Sequence, residues 1–142
     1  MRPAGLHFLN GVSEMEFRCF CRKQRVACAI LFGSTAKGTV TSQSDVDLAF
    51  WMEGVPTSRC SLGLINAITV LLHRDDVYVV VLNRANSLLR WQVASAGKLL
   101  YERKRGAFRR FQVMAFRQHQ DANRIYRWTR MYLNRVLTTG LQ

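Results

Sequence analysis

Acidic residues are scarce in this chain of 142 residues: nine Asp and Glu stand against 21 Lys and Arg, for a formal charge of +12. That imbalance points to an acidic partner, whether nucleic acid, nucleotide or an acidic protein surface. Long apolar runs are also missing. No stretch approaches the ~20 residues a helix needs to cross a bilayer. The apolar patch near the N-terminus is too short and too interrupted for a signal peptide. Low-complexity sequence is absent, which argues against a disordered chain. The four cysteines, Cys19, Cys21, Cys28 and Cys60, include no Cys-x-x-Cys and no Cys/His ligand spacing, which argues against a zinc site. The expectation is a cytoplasmic protein with reduced, structural thiols and no membrane association. The length fits a single domain, and a 49% apolar content is enough to fill its core.

What the sequence does contain is centred on residues 31–50, LFGSTAKGTVTSQSDVDLAF. The apolar run 27–32 reads as a buried strand. Gly33 and Ser34 break it, and Gly38 with the small polar residues 39–44 makes a loop. A second strand-like run, 46–51, carries Asp45 and Asp47 at its start. Side chains on a strand alternate with a period of two, so these carboxylates share a face. Two adjacent acids repel unless a cation lies between them. Mg²⁺ suits the position because it prefers carboxylate and phosphate oxygens. At the other end, Gly33 permits close backbone approach, and Ser34 offers a hydroxyl and an amide as a seat for anions. A polyphosphate at Gly33 and Ser34, with its metal at Asp45 and Asp47, is the simplest reading.

This stretch resembles the signature of the DNA polymerase β-like nucleotidyltransferase superfamily, a Gly-Ser pair after a strand and then Asp-x-Asp on the next. FGSTAKG followed by SDVDL is most similar to the minimal nucleotidyltransferases, the MNT proteins that pair with HEPN partners. The resemblance runs from residue 27 to about 103. It implies an α+β fold, a small mixed sheet with flanking helices and a long C-terminal helix. It also implies an antitoxin that transfers AMP from ATP, with Mg²⁺, to a tyrosine hydroxyl of a HEPN ribonuclease toxin in a hetero-oligomer. In the family a third carboxylate stands on the next strand, and the match puts Tyr78 at that place. Asp76, two residues earlier, could substitute through a bulge, a register shift or a bridging water, because two residues move a side chain ~6.5 Å along a strand. Otherwise Asp75 and Asp76 form an acidic turn. Tyr78 is then either a packed aromatic or a hydroxyl lining the cleft.

The remaining elements follow from periodicity. A helix over 13–23 begins at a capping box of Ser13 and Glu16. The basic residues after it, Arg22, Lys23 and Arg25, either line a cleft or form a solvated end. Residues 35–37 make a short helical turn, with Lys37 facing phosphate or solvent. A helix from 57 or 58 to 72 presents Leu62, Ile65, Ile68, Thr69 and Leu72 as a core stripe. A strand covers 77–82, and a helix over 84–96 is capped by Asn83 and stopped by Gly97. Residues 98–101 form an edge strand, and 103–106 a basic hinge. Residues 107–137 form a long helix with one apolar seam: Phe108, Phe111, Ala115, Gln118, Ala122, Ile125, Thr129, Tyr132 and Val136. Residues 1–103 would form the nucleotidyltransferase core, and 104–142 a helix packed on it whose distal half can reach a partner. From Glu102 onward ten basic residues face two acidic ones. Nucleic acid is an alternative partner, though not the favoured one. Two other functions stay open: an antitoxin that neutralises its toxin by occlusion alone, and nucleotidyl transfer to a small molecule.

Overall fold

The computed structural model describes residues 11–33 and 46–140. The expected turn at 35–37, and with it Ser34, Lys37 and Asp45, lies outside the described residues. Four strands form one mixed sheet in the order β3-β2-β1-β4. β1 (Val26–Phe32) and β2 (Val46–Met52) are antiparallel, with Ile30 opposite Ala49 and Phe32 opposite Asp47. β3 (Val77–Val81) runs parallel to β2, which requires a crossover; α2 (Ser58–Leu72) provides it. β4 (Lys98–Glu102) closes the other edge, antiparallel to β1.

Helices cover both faces. On one face α1 (Glu14–Lys23) and α2 bury Phe17, Cys21, Leu64, Ile68 and Leu72 against Ala29, Leu31, Leu48 and Phe50. On the other, α3 (Ser87–Ala96) and the first half of α4 (Ala107–Thr139) bury Val93, Ala94, Phe111 and Ala115 against Cys28, Ile30, Ala49 and Val80. β2 and β3 alternate cleanly between the two, and β1 does so from Cys28 onward. Cys28 nonetheless faces away from Val26, because a bulge between them shifts the register. Burial pushes the Cys28 thiol up to about 12, with Glu102 adding to the effect, and raises that of Cys21 as well. Both pack as small apolar side chains.

Ser13 caps α1 as expected: its Oγ accepts from the Glu16 N–H at 3.2 Å. Two sequence expectations need correction. The α2 stripe is Leu64, Ile68 and Leu72, while Leu62 is exposed. Asn83 does not cap α3. Its Oδ1 accepts from the Met52 N–H at 2.8 Å and its Nδ2 donates to the Met52 carbonyl at 3.0 Å, so it pins the end of β2. A 3₁₀ turn (Leu82–Arg84) delays the helix, and Asn86 caps it through the Leu89 N–H. Gly97 ends α3 as expected. A Cβ there would overlap the Ile30 side chain, so its smallness sets how closely α3 meets β1.

Among the described residues no helix is long and apolar enough to cross a membrane.

Candidate active site

The site is assembled at one end of the sheet, where β1 stops and β2 and β3 begin. Gly33 follows β1 with φ of +75°, a left-handed conformation that costs little only for glycine. Space demands glycine as well. A Cβ at Gly33 would overlap Oδ2 of Asp47 and lie 3.1 Å from its Cγ. The turn backbone and the carboxylate are therefore in direct contact, and the missing side chain makes the cradle.

Asp47 owes its direction to strand alternation. Val46, Leu48 and Phe50 face α1 and α2, so Asp47, Ala49 and Trp51 face the other side. The parallel register sets Tyr78 opposite Asp47. Register partners point to the same face, so the phenol stands beside the carboxylate. Tyr78 is 60% exposed, which decides between the two sequence readings: it lines the surface of the site and is not a packed core aromatic.

Asp76 precedes β3, whose first residue is Val77. Its backbone carbonyl accepts from the Val46 N–H at 3.1 Å, which aligns the starts of the two strands. Its carboxylate is held by Arg74, with Nε to Oδ1 at 2.8 Å and Nη2 to Oδ2 at 2.5 Å. The guanidinium keeps the Asp76 carboxyl below the usual carboxylate range. Asp76 thus belongs to a paired acidic turn one step outside the strand. Arg22, Lys23 and Arg25 sit beside the opposite end of β1 from Gly33, about 20 Å away at ~3.3 Å per residue, and form a solvated basic end.

The donor set fits a hard cation in kind: a carboxylate cradled against a glycine turn, with a second carboxylate, Asp45, two residues earlier in sequence. The described residues alone bring no three His, Cys, Asp or Glu side chains into a metal-binding group. Ser34 and Asp45, the other expected site residues, lie outside them.

Arg90 was not singled out by sequence reasoning. From α3 it donates to the carbonyls of Leu82 and Asn83, both at 2.8 Å, and to Oε1 of Gln118 on α4 at 2.9 Å. Its guanidinium lies 5.4 Å from the centroid of the Trp51 ring, a cation–π distance. Burial lowers its pKa. One arginine thus joins β2, the 3₁₀ turn, α3 and α4 on the face of the sheet that carries Asp47. The signal was in the sequence: Gln118 is the first polar interruption of an apolar seam, and a polar group set among core residues needs a polar partner.

Comparison with known proteins agrees with this architecture. The family described as Polymerase beta, Nucleotidyltransferase matches residues 18–106. The protein adenylyltransferase MntA of Aphanizomenon flos-aquae (strain 2012/KM1/D3) is 25% identical over 121 residues, covering 79% of this chain and 81% of that protein. Among solved structures, a toxin–antitoxin crystallised with AMP-PNP superposes with a TM-score of 0.68 at 23% identity, over 89% of this chain and 99% of the matched one. A tri-AMPylated Shewanella oneidensis HEPN toxin in complex with MNT antitoxin gives a TM-score of 0.62 at 21% identity, over 87% and 95%. The family match spans more than half of the chain and contains Gly33, Asp47 and Tyr78. This chain belongs to the polymerase β-type nucleotidyltransferase family.

Proposed function

We propose that this chain is an MNT-type antitoxin that transfers AMP from ATP to a tyrosine hydroxyl of a partner HEPN ribonuclease toxin and so silences it. The observation that carries the reading is the Asp47 carboxylate set against the Gly33 turn at the mouth of a nucleotidyltransferase sheet. Likeness to the adenylyltransferase MntA and to toxin–antitoxin complexes supports the choice of acceptor.

In this reading Asp45 and Asp47 hold Mg²⁺, and Gly33 and Ser34 receive the triphosphate through backbone amides and the serine hydroxyl. Bound there, Mg²⁺ would offset the charge of the triphosphate. The toxin hydroxyl oxygen bonds to the α-phosphorus, the bond to the bridging oxygen breaks, and pyrophosphate leaves. The hydroxyl proton needs a carboxylate acceptor. Tyr78 stands where the family's third acid is expected, so Asp76 is the candidate that remains on the β3 side. To serve, it must exchange its ion pair with Arg74 for the hydroxyl.

Tyr78 favours a second reading, an antitoxin that neutralises by occlusion with little or no transfer. Labelled ATP separates the two. Incubation of the chain with its HEPN toxin, Mg²⁺ and ATP labelled at the α-phosphate should transfer label to the toxin, whereas γ-labelled ATP should not. Neutralisation of the toxin without label transfer would support occlusion.

A further inference from the structure

The apolar seam of α4 outlasts the body it packs on. Phe111 and Ala115 are buried, Gln118 and Ala122 are half-covered, and every described residue from 123 to 140 is exposed. The helical ones, 123–139, extend the helix by about 26 Å at 1.5 Å per residue. The seam nonetheless continues in register. Ile125, Trp128, Tyr132 and Val136 follow Ala115 and Ala122 at steps of three, four or seven residues, and Leu133 and Leu137 widen the strip into an apolar arc of about 180° at ~100° per residue. Trp128 is 72% exposed and Tyr132 59%. Aromatic side chains carry ~150–250 Å² each, so with Tyr126 these rings alone expose roughly 300–500 Å². That already matches the largest apolar patch of a typical monomer.

Charge identifies the occupant. At ~100° per residue, Arg130 borders the apolar arc on the Leu137 side, and Arg124 and Arg135 border it on the Trp128 side. No acidic residue occurs beyond Asp121. Trp128, Met131, Tyr132, Asn134 and Arg135 line a shallow depression of about 360 Å³, which has the aromatic and Arg composition of an interface anchor. We infer that the distal half of α4 is a docking helix for an acidic protein groove, with an apolar floor that receives Trp128 and Tyr132 and carboxylates on its walls opposite Arg124, Arg130 and Arg135. This rests on the toxin-partner reading and names the surface through which that partner is held. A second copy of the chain fits poorly, because paired helices would bring arginine rows together with little acid to offset them. RNA would satisfy the arginines and leave the aliphatic floor uncovered.

The test uses the full chain, with a purified HEPN-type ribonuclease toxin as probe. Trp128→Ala/Tyr132→Ala and Arg130→Glu/Arg135→Glu alter only exposed side chains. Both should bind Mg²⁺-ATP as the wild type does. The aromatic pair of changes should weaken toxin capture at least about 100-fold. The charge reversal should weaken it at least about tenfold, chiefly by slowing association, and wild-type association should slow with added salt. Toxin capture and AMP transfer at wild-type levels by both variants would overturn the docking surface and leave the function reading intact. A wild-type chain that captures no toxin would overturn both. Sedimentation of the chain alone as a dimer that Trp128→Ala/Tyr132→Ala dissolves would assign the face to a second copy. Binding of a single-stranded RNA oligomer that competes with toxin and is lost only in the arginine variant would assign it to nucleic acid. Either result would overturn the inference.

Discussion

A methyl group at Gly33 would occupy the space of the Asp47 carboxylate and would sit on a backbone at φ +75°. Gly33→Ala should therefore cost about 1–3 kcal/mol of stability and weaken Mg²⁺-ATP binding by displacing Asp47. Urea unfolding and calorimetry read the two effects separately. Tyr78 bears on the chemical step. A positioned general base contributes ~10²–10⁴-fold, so Tyr78→Asp, which restores an acid opposite Asp47, should raise AMP transfer while ATP affinity changes little. If Asp76 already serves as the base, Tyr78→Asp should change little and Asp76→Asn should abolish transfer. Transfer that is indifferent to both changes would remove both positions from the mechanism. Much of this was legible in the sequence because it depends on local rules. Period-two alternation fixed the face of Asp47, and the break at Gly33 fixed where β1 ends. The Arg74–Asp76 pair was not legible, because two residues of the same turn can meet or part depending on how the chain enters β3.

At the level of elements, Arg90 and Gln118 carry the connection between the sheet and α4. Arg90→Met keeps the apolar stem but leaves the Leu82 and Asn83 carbonyls and the Gln118 amide without their donor. The expected loss is about 1–3 kcal/mol, measured by urea unfolding, with ATP binding preserved because Asp47 is not touched. Element types and most boundaries were readable from periodicity and caps, as at Ser13, Thr57 and Gly97. Two failures share one cause. Asn83 looks like a helix cap in sequence, but its amide reaches across 31 positions to Met52. Leu62 fits a three- and four-residue step pattern along α2, but the side turned to the sheet runs through Leu64, Ile68 and Leu72 and leaves Leu62 exposed. Both outcomes depend on tertiary contacts that local pattern does not record.

For the whole molecule, the long helix divides into a packed half and a free half at about Ala122. The seam had shown the helix and its excess length, but not where cover ends, because a core stripe and an interface stripe have the same spacing. Truncation after Ala122 keeps the Gln118–Arg90 bond and the stacking of His119 on Trp91 at 4.7 Å. The shortened chain should fold and bind Mg²⁺-ATP, yet fail to co-purify with the toxin. The central claim joins both ends of the molecule: the helix holds the toxin while the Asp47 site modifies it. Its most direct measurement is the intact mass of the HEPN toxin after incubation with this chain, ATP and Mg²⁺, with fragmentation to locate the modification. The account predicts an AMP-sized gain on a toxin tyrosine, absent with Asp47→Asn. An unmodified toxin, or a gain that survives Asp47→Asn, would contradict it.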